Sequence, residues 1–161
     1  MSGFRRFFDF MAGMGLIVRD DPKKAIDLTV REWGPEVNGL VLSIAEIPHE
    51  DPDAQAAVSL VLRNVGTLSR QLTLPGWLFF YRFEILGADG AAASMSSFGK
   101  ELLKPARRTE RIEVALGPGE FKETQIPIGS MFSLSGRVKY RVVASCAPFE
   151  GVSVRSNAIL I

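Results

Sequence analysis

Short runs in which apolar and polar residues alternate dominate the sequence from residue 25 to residue 161. Alternation with a period of two places the apolar side chains on one face of a β-strand. Gly, Pro and Asn turn signals separate the runs, and no pattern of helical length lies between them. We therefore expect an all-β, antiparallel two-sheet sandwich. The predicted strands cover residues 25–31, 40–44, 56–65, 71–74, 77–86, 111–116, 121–128, 139–147 and 152–161.

Three segments and one cysteine carry more specific predictions. Residues 77–86 are apolar on both faces, which predicts a central strand or a strand whose second face another element covers. Residues 91–98 are small and polar, and we expect a weak edge strand there. Residues 129–136 are predicted to form a loop with Phe132 and Leu134 as buried anchors. Cys146 is in phase with Tyr140, so we expect it to be a small buried hydrophobe.

The composition is that of a globular protein, and it limits the chemistry. The 161 residues are 47% hydrophobic and 23% charged, which suffices for one domain with a real core. A formal net charge of +1 argues against binding nucleic acid by overall charge. The single cysteine cannot form an internal disulfide or a thiolate zinc site, and the single histidine, His49, excludes a multi-histidine metal site. We expect no cofactor and no metal.

The N-terminal stretch combines bulky apolar residues with two arginines. On a helix, the arginines fall opposite an apolar arc, which predicts a short, strongly amphipathic helix. Residues 1–24 are therefore predicted to form an anchor and linker, and residues 25–161 the sandwich. Two interpretations stay open: the apolar face docks on the chain's own domain, or it binds a partner protein or a membrane surface. The residues proposed for external binding are Phe4, Arg5, Arg6, Phe7, Phe8, Phe10, Met11 and Met14.

A basic segment lies between residues 99 and 111, where Glu101 and Glu110 are the acidic residues. We favour a solvated loop, because a few basic residues supply only non-specific affinity. Contact with phosphate or anionic lipid is the alternative. The candidate residues for anionic surface contact are Lys100, Lys104, Arg107, Arg108 and Arg111.

Turn and core motifs recur through the β-region. They are Trp33-Gly34-Pro35-x-Val37-Asn38-Gly39-Leu40, Leu62-Arg63-Asn64-Val65-Gly66, Leu116-x-Pro118-Gly119-Glu120, Met131-Phe132-x-Leu134-Ser135, Tyr140-Arg141-Val142 and Ser156-Asn157. Together they resemble a set of uncharacterised bacterial immunoglobulin-like β-sandwich domains over roughly residues 25–161. The resemblance implies an immunoglobulin-like fold, and many such domains are similar to exported modules. It implies no activity, because turn and core motifs specify a fold.

The sequence favours a binding role over catalysis. It contains no nucleophile elbow, phosphate-binding loop or dinucleotide motif, and an enzyme that uses His49 or Cys146 is the least supported class. The leading hypothesis is a non-catalytic accessory or scaffold subunit that docks on a larger protein complex, soluble or membrane-bound, through its Phe/Met helix. Without a convincing export signal we expect a cytoplasmic location, free or peripheral on the membrane. The alternative is an exported or cell-surface binding module for protein or carbohydrate.

Overall fold

The computed structural model describes residues 18–19, 27–51, 53–76, 80–104 and 111–161, and this part of the chain is mostly β. The helical segments in these ranges include α1 (Ser97–Leu102), α2 (Ile128–Met131) and a 3-10 turn (Leu28–Val30). The strands are β1 (Val18–Arg19), β2 (Leu40–Glu46), β3 (Val58–Asn64), β4 (Arg70–Leu74), β5 (Tyr81–Gly87), β6 (Ile112–Leu116), β7 (Phe121–Ile126), β8 (Tyr140–Phe149) and β9 (Val152–Leu160).

The strands form one curled sheet and one two-stranded sheet. The order in the large sheet is β1-β7-β3-β2-β9-β8-β5, and β4 pairs with β6. Most neighbours are antiparallel, but β2 and β9 are parallel, with Leu42 opposite Ser156. The β-rich, sandwich-like expectation is confirmed, whereas the expectation of wholly antiparallel sheets is wrong. Alternation shows which face of a strand is buried but not the direction of its neighbour, and β2 and β9 are too distant in sequence for a hairpin to fix it.

One hydrophobic core lies between the two sheets. Alternate apolar residues of β2 and β3, such as Leu42 and Leu60, are fully buried in it. Leu72 and Leu116 from the two-stranded sheet belong to the same cluster. The opposite face of the central strands is also buried at Val61. These are therefore the strands buried on both faces, as expected near the middle of a sheet.

The run at residues 77–86 does not form a central strand. Its structured part is β5, which lies at the end of the sheet order and pairs with β8. Tyr81 and Ile85 are buried, whereas Arg82 and Glu84 are exposed. An edge strand with one buried face needs only this alternation, and the dense apolar appearance arose from residues before Tyr81, of which 77–79 lie outside the described part.

The predicted strand at residues 25–31 is a 3-10 turn in its described part. The carboxylate of Asp27 accepts hydrogen bonds from the backbone N–H and the hydroxyl of Thr29, at 3.0 and 2.5 Å. This local capping competes with strand pairing, as Asp commonly does. The alternation was therefore misleading, and Val30 is left 76% exposed.

The predicted edge strand at residues 91–98 contains only isolated bridges at Ala92 and Met95, followed by the start of α1. α1 continues into the basic segment predicted as a loop, and α2 covers the start of the predicted loop at residues 129–136. Ser96 caps α1 by accepting a hydrogen bond from Gly99 N at 3.0 Å, and a Cβ at Gly99 would lie 2.2 Å from the carbonyl oxygen of Met131. This close approach packs α1 on α2. Ile128 and Met131 are the buried anchors there, whereas Phe132 and Leu134 are only half-buried.

Two of the sequence motifs meet at Asn64, which is fully buried. Its side-chain amide donates to the carbonyls of Leu68 and Leu116 at 2.8 and 2.9 Å, and its carbonyl oxygen accepts from Gly66 N. Its backbone N–H donates to the carbonyl of Glu120 at 3.0 Å. The Asn64 side chain thus joins the end of β3 to the end of β6.

Candidate functional site

The predicted N-terminal site lies outside the described residues. This covers Phe4, Arg5, Arg6, Phe7, Phe8, Phe10, Met11 and Met14, so the amphipathic anchor stays a prediction. The nearest described element is β1, where Val18 and Arg19 pair with Thr124 and Glu123 of β7. The boundary proposed at residue 24 also stays a prediction.

The basic segment is only partly described, because Arg107 and Arg108 fall outside. Lys100 lies in the last turn of α1, and Arg111 lies just before β6; both are exposed. Lys104 forms an ion pair with Glu101 at 2.5 Å, and both side chains are about half exposed. An exposed pair of this kind partly neutralises the segment and adds little stability.

The two candidate catalytic residues, His49 and Cys146, lie in different environments. His49 lies in an exposed loop, with Nδ1 2.8 Å from the carbonyl oxygen of Asp51. Cys146 is 3% exposed and belongs to the core, and burial raises the pKa of its thiol to about 12. A protonated thiol is a poor nucleophile. The prediction that Cys146 is a small buried hydrophobe is confirmed.

The parallel seam between β2 and β9 is closed at one end by Gly34. Its N–H donates to the carbonyl of Leu42 at 2.9 Å. A Cβ at this position would lie 1.8 Å from the carbonyl oxygen of Arg155. Only glycine can approach the β9 backbone so closely. Gly34 therefore lies against the backbones of both strands at the seam.

Beyond Ser156 the seam opens, and the side chain of Asn157 bridges the two strands. Its Oδ1 accepts from Ile44 N at 2.9 Å, and its Nδ2 donates to the carbonyl of Ile44 at 3.0 Å. If β9 stayed paired with β2 beyond Ser156, its backbone would make these two hydrogen bonds instead. The register between β8 and β9 also shifts here, as it does at a β-bulge. The two strands therefore diverge.

The divergence leaves backbone groups of both strands facing a gap. Tyr140 and Ile161 exchange two backbone hydrogen bonds at 3.0 Å. Because bonded and non-bonded pairs alternate along an antiparallel ladder, Ala158 and Leu160 direct their N–H and C=O groups away from β8. Just after β2, the backbone N–H of Ile47 donates to the carbonyl of Ala57, which precedes β3. Because the direction alternates along a strand, the backbone N–H and C=O of Glu46 point the other way, toward β9.

These edges line a cavity of about 640 Å³, here called the β2–β9 groove. The side chains of Val30 and Leu160, which are 76% and 67% exposed, both line it. The acidic residues Asp27, Glu32 and Glu46 surround it. Hydrogen bonds from Thr29 hold the pKa of the Asp27 carboxyl below its ordinary value. The full lining is Asp27, Val30, Arg31, Glu32, Ile44, Ala45, Glu46, Asn157, Ala158, Ile159 and Leu160.

A polar network fixes Arg31 in the wall of the groove. Its guanidinium donates to Ser43 Oγ at 3.1 Å and to the carbonyl of Ser59 at 2.8 Å. The Ser59 hydroxyl in turn donates to the carboxylate of Glu123 at 2.7 Å. Burial lowers the pKa of Arg31, and the charge of Glu123 opposes this; an arginine remains protonated even so. The network anchors the turn at residues 28–30 to three strands.

A second depression of about 390 Å³ borders the same end of the sheet. Glu46 lines both cavities, while Leu160 lines the groove and Ile161 the depression. The depression has a basic side formed by Arg137 and Lys139. The last residues of β2 and β9 therefore separate an acidic cavity from one with basic side chains.

Comparison with protein-family models finds no match for the chain, and comparison with curated proteins finds no significant similarity. No helix in the described ranges has the length and hydropathy needed to cross a membrane. Nor do those ranges contain three or more His, Cys, Asp or Glu side chains grouped as metal ligands.

Sequence reasoning missed the β2–β9 groove. Ser156-Asn157 belongs to the fold motifs of the sequence, but its role in splitting the sheet depends on the position of Ile44, which is distant in sequence. The alternation of residues 25–31 predicts a strand with Val30 on its apolar face, whereas Val30 is exposed in the structure. The one local signal was Asp27 followed by Thr29, since this pattern favours a capped turn.

Proposed function

We propose that the protein is a non-catalytic accessory or scaffold subunit that docks a protein partner at the β2–β9 groove. The observation that carries the proposal is the coincidence of two exposed aliphatic side chains, Val30 and Leu160, with strand edges that face the same cavity. Exposed apolar surface with a polar rim is typical of protein interaction sites. The N-terminal Phe/Met segment is proposed as a second attachment, to a larger complex or a membrane surface.

The shape and the chemistry of the groove support binding more than turnover. The strands and the Arg31 network form its walls, so the surface is preorganised and little entropy is lost on association. Catalysis needs a group whose pKa or position is tuned to a reaction. The burial of Cys146, which keeps its thiol protonated, and the exposed loop position of His49 favour the non-catalytic interpretation.

Charge insertion in the groove tests the proposal. The double variant Val30→Asp/Leu160→Asp replaces two exposed side chains, so the fold should persist. Leu68→Asp is the matched control, because Leu68 is 66% exposed and lies in a distant turn. We expect proteins that co-purify with the tagged wild-type chain from its native cells to be lost with the double variant and kept with the control. Equal recovery with both variants would exclude the groove as the docking surface.

The N-terminal attachment needs its own test. Deletion of residues 2–17 leaves β1 intact. We expect this deletion to reduce co-sedimentation with membranes or with the larger complex, while the groove variant retains it. Unchanged association after the deletion would remove the anchor from the proposal and leave the groove unaffected.

A further inference from the structure

We infer that the occupant of the β2–β9 groove is an extended peptide segment of the partner, with apolar and basic side chains, that adds a strand to the edge of β9 facing away from β8. The inference rests on the proposed docking function and specifies the chemistry of the partner. Three features of the groove lead to it: its backbone groups, its apolar walls and its charge.

The backbone groups of β9 form a template for a strand. Ala158 and Leu160 both direct N–H and C=O groups away from β8, as the alternation set by Tyr140 and Ile161 requires. Their spacing of two residues is the repeat with which one strand bonds to the next. Unpaired strand edges bind extended peptides through such main-chain bonds in several families of recognition domain.

Asn157 explains why the chain does not cover this edge with β2. Its carboxamide already makes both bonds of Ile44, so β2 and β9 pair only as far as Leu42 and Ser156. The resulting cavity of about 640 Å³ falls within the range of about 300–1,000 Å³ typical of ligand sites. The gap is therefore a built feature that is held open by hydrogen bonds.

The groove walls select apolar side chains. Leu160 belongs to the edge that the peptide would pair with, and Val30, in the 3-10 turn, lines the same cavity. An added strand presents every second side chain to one face of the sheet. Aliphatic residues at those positions would cover both exposed side chains, and cross-strand apolar pairs of this kind stabilise a sheet.

The charge of the groove selects basic side chains. Asp27, Glu32 and Glu46 are exposed around the cavity, and Asp27 stays ionised because Thr29 stabilises its carboxylate. Arg31 is the basic residue in the lining, but its guanidinium is bonded to Ser43 and Ser59 and its charge interacts with that of Glu123. A peptide with lysine or arginine flanking the apolar positions therefore complements the rim.

A model peptide tests the inference on the full chain. The probe is a short capped peptide of alternating valine and lysine, with fluorescence anisotropy as the readout. We expect saturable binding, about tenfold weaker for the matching valine–glutamate peptide, because three carboxylates border the site. Failure of the valine–lysine peptide to bind at about 1 mM, which corresponds to a free energy near −4 kcal/mol, would overturn the inference.

Amide hydrogen exchange distinguishes strand addition from side-chain docking. We expect the bound peptide to slow exchange at Ala158 and Leu160, whereas Ile159 and Ile161, which already bond to β8, change little. The variant Leu160→Pro removes the leucine side chain and the backbone N–H that points away from β8. Proline is tolerated where that N–H makes no bond within the sheet. Leu160→Pro should bind the peptide about tenfold more weakly than Leu160→Ala, because it alone loses one backbone hydrogen bond to the peptide. Equal binding by the two variants, or unchanged exchange at Ala158, would exclude an added strand.

The inference and the proposed function fail in different ways. If Val30→Asp/Leu160→Asp abolishes partner co-purification but the peptide results contradict strand addition, the groove docks a partner by another mode. If co-purification survives the double variant, the docking function itself is wrong.

Discussion

The side-chain amide of Asn157 makes both hydrogen bonds that the backbone of Ile44 offers toward β9, at 2.9 and 3.0 Å. One side chain thus replaces a pair of backbone hydrogen bonds in the parallel ladder. It satisfies the backbone of β2 and also prevents the two strands from closing. The groove that we propose as the working surface therefore depends on a residue that also stabilises the fold.

Replacing Asn157 should destabilise the protein. Asn157→Ala leaves the N–H and C=O of Ile44 without their partner, and we expect the free energy of unfolding to fall by about 1–3 kcal/mol. Urea denaturation measures the change. Ser153→Ala, at an exposed site on the same strand, is the control and should change little. A stability equal to wild type for Asn157→Ala would show that β2 and β9 can pair directly.

Replacing Gly34 should disrupt the closed end of the seam. A Cβ would lie 1.8 Å from the carbonyl oxygen of Arg155, so the backbone must move. We expect Gly34→Ala to lower the free energy of unfolding by about 1–3 kcal/mol, as overpacked cores do. Gly136→Ala is the matched control, since nothing lies within 4 Å of its added Cβ. Similar effects of the two substitutions on the melting temperature would contradict the close approach.

The contribution of Cys146 should appear as a dependence of stability on pH. Burial raises its pKa to about 12 in the folded state from an ordinary value of 9.0. The unfolded chain therefore loses the thiol proton first as the pH rises. The contribution of the buried, protonated thiol to the free energy of unfolding is fully present below about pH 9 and is lost progressively toward pH 12. Between pH 7 and 10, the free energy of unfolding should fall more steeply for wild type than for Cys146→Ala. Parallel curves of unfolding free energy against pH would argue that the thiol is accessible to water.

The polar network under the groove should behave as a unit. Arg31→Ala and Ser59→Ala each break the path from Arg31 to Glu123, and Glu123 is 7% exposed. We expect each to cost about 1–3 kcal/mol, and the double variant to cost less than the sum of the two. Additive losses of unfolding free energy would show that the two residues act independently.

Most strands could be predicted because one face of each is buried. Leu42 in β2, Leu60 in β3 and Val142 in β8 repeat the apolar period that the core requires. The failures have local or long-range causes. Asp27 caps a 3-10 turn where alternation suggested a strand, and the parallel contact of Leu42 with Ser156 joins residues far apart in sequence.

The candidate site was harder to predict than the fold. The groove depends on where Asn157 meets Ile44 and on which groups of Ala158 remain free of β8, and neither follows from a local pattern. The sequence instead directed attention to the amphipathic N-terminus, whose residues the structure does not describe. That anchor and the docking groove make separate predictions.

Site-specific photocrosslinking in the native cell tests the docking surface most directly. A photoreactive amino acid replaces Leu160 in one variant and Leu68 in another, which have similar exposure of 67% and 66%. We predict a discrete crosslinked adduct from position 160 and none of the same mass from position 68. Absence of an adduct at position 160, or the same adducts from both positions, would contradict a partner seated in the β2–β9 groove.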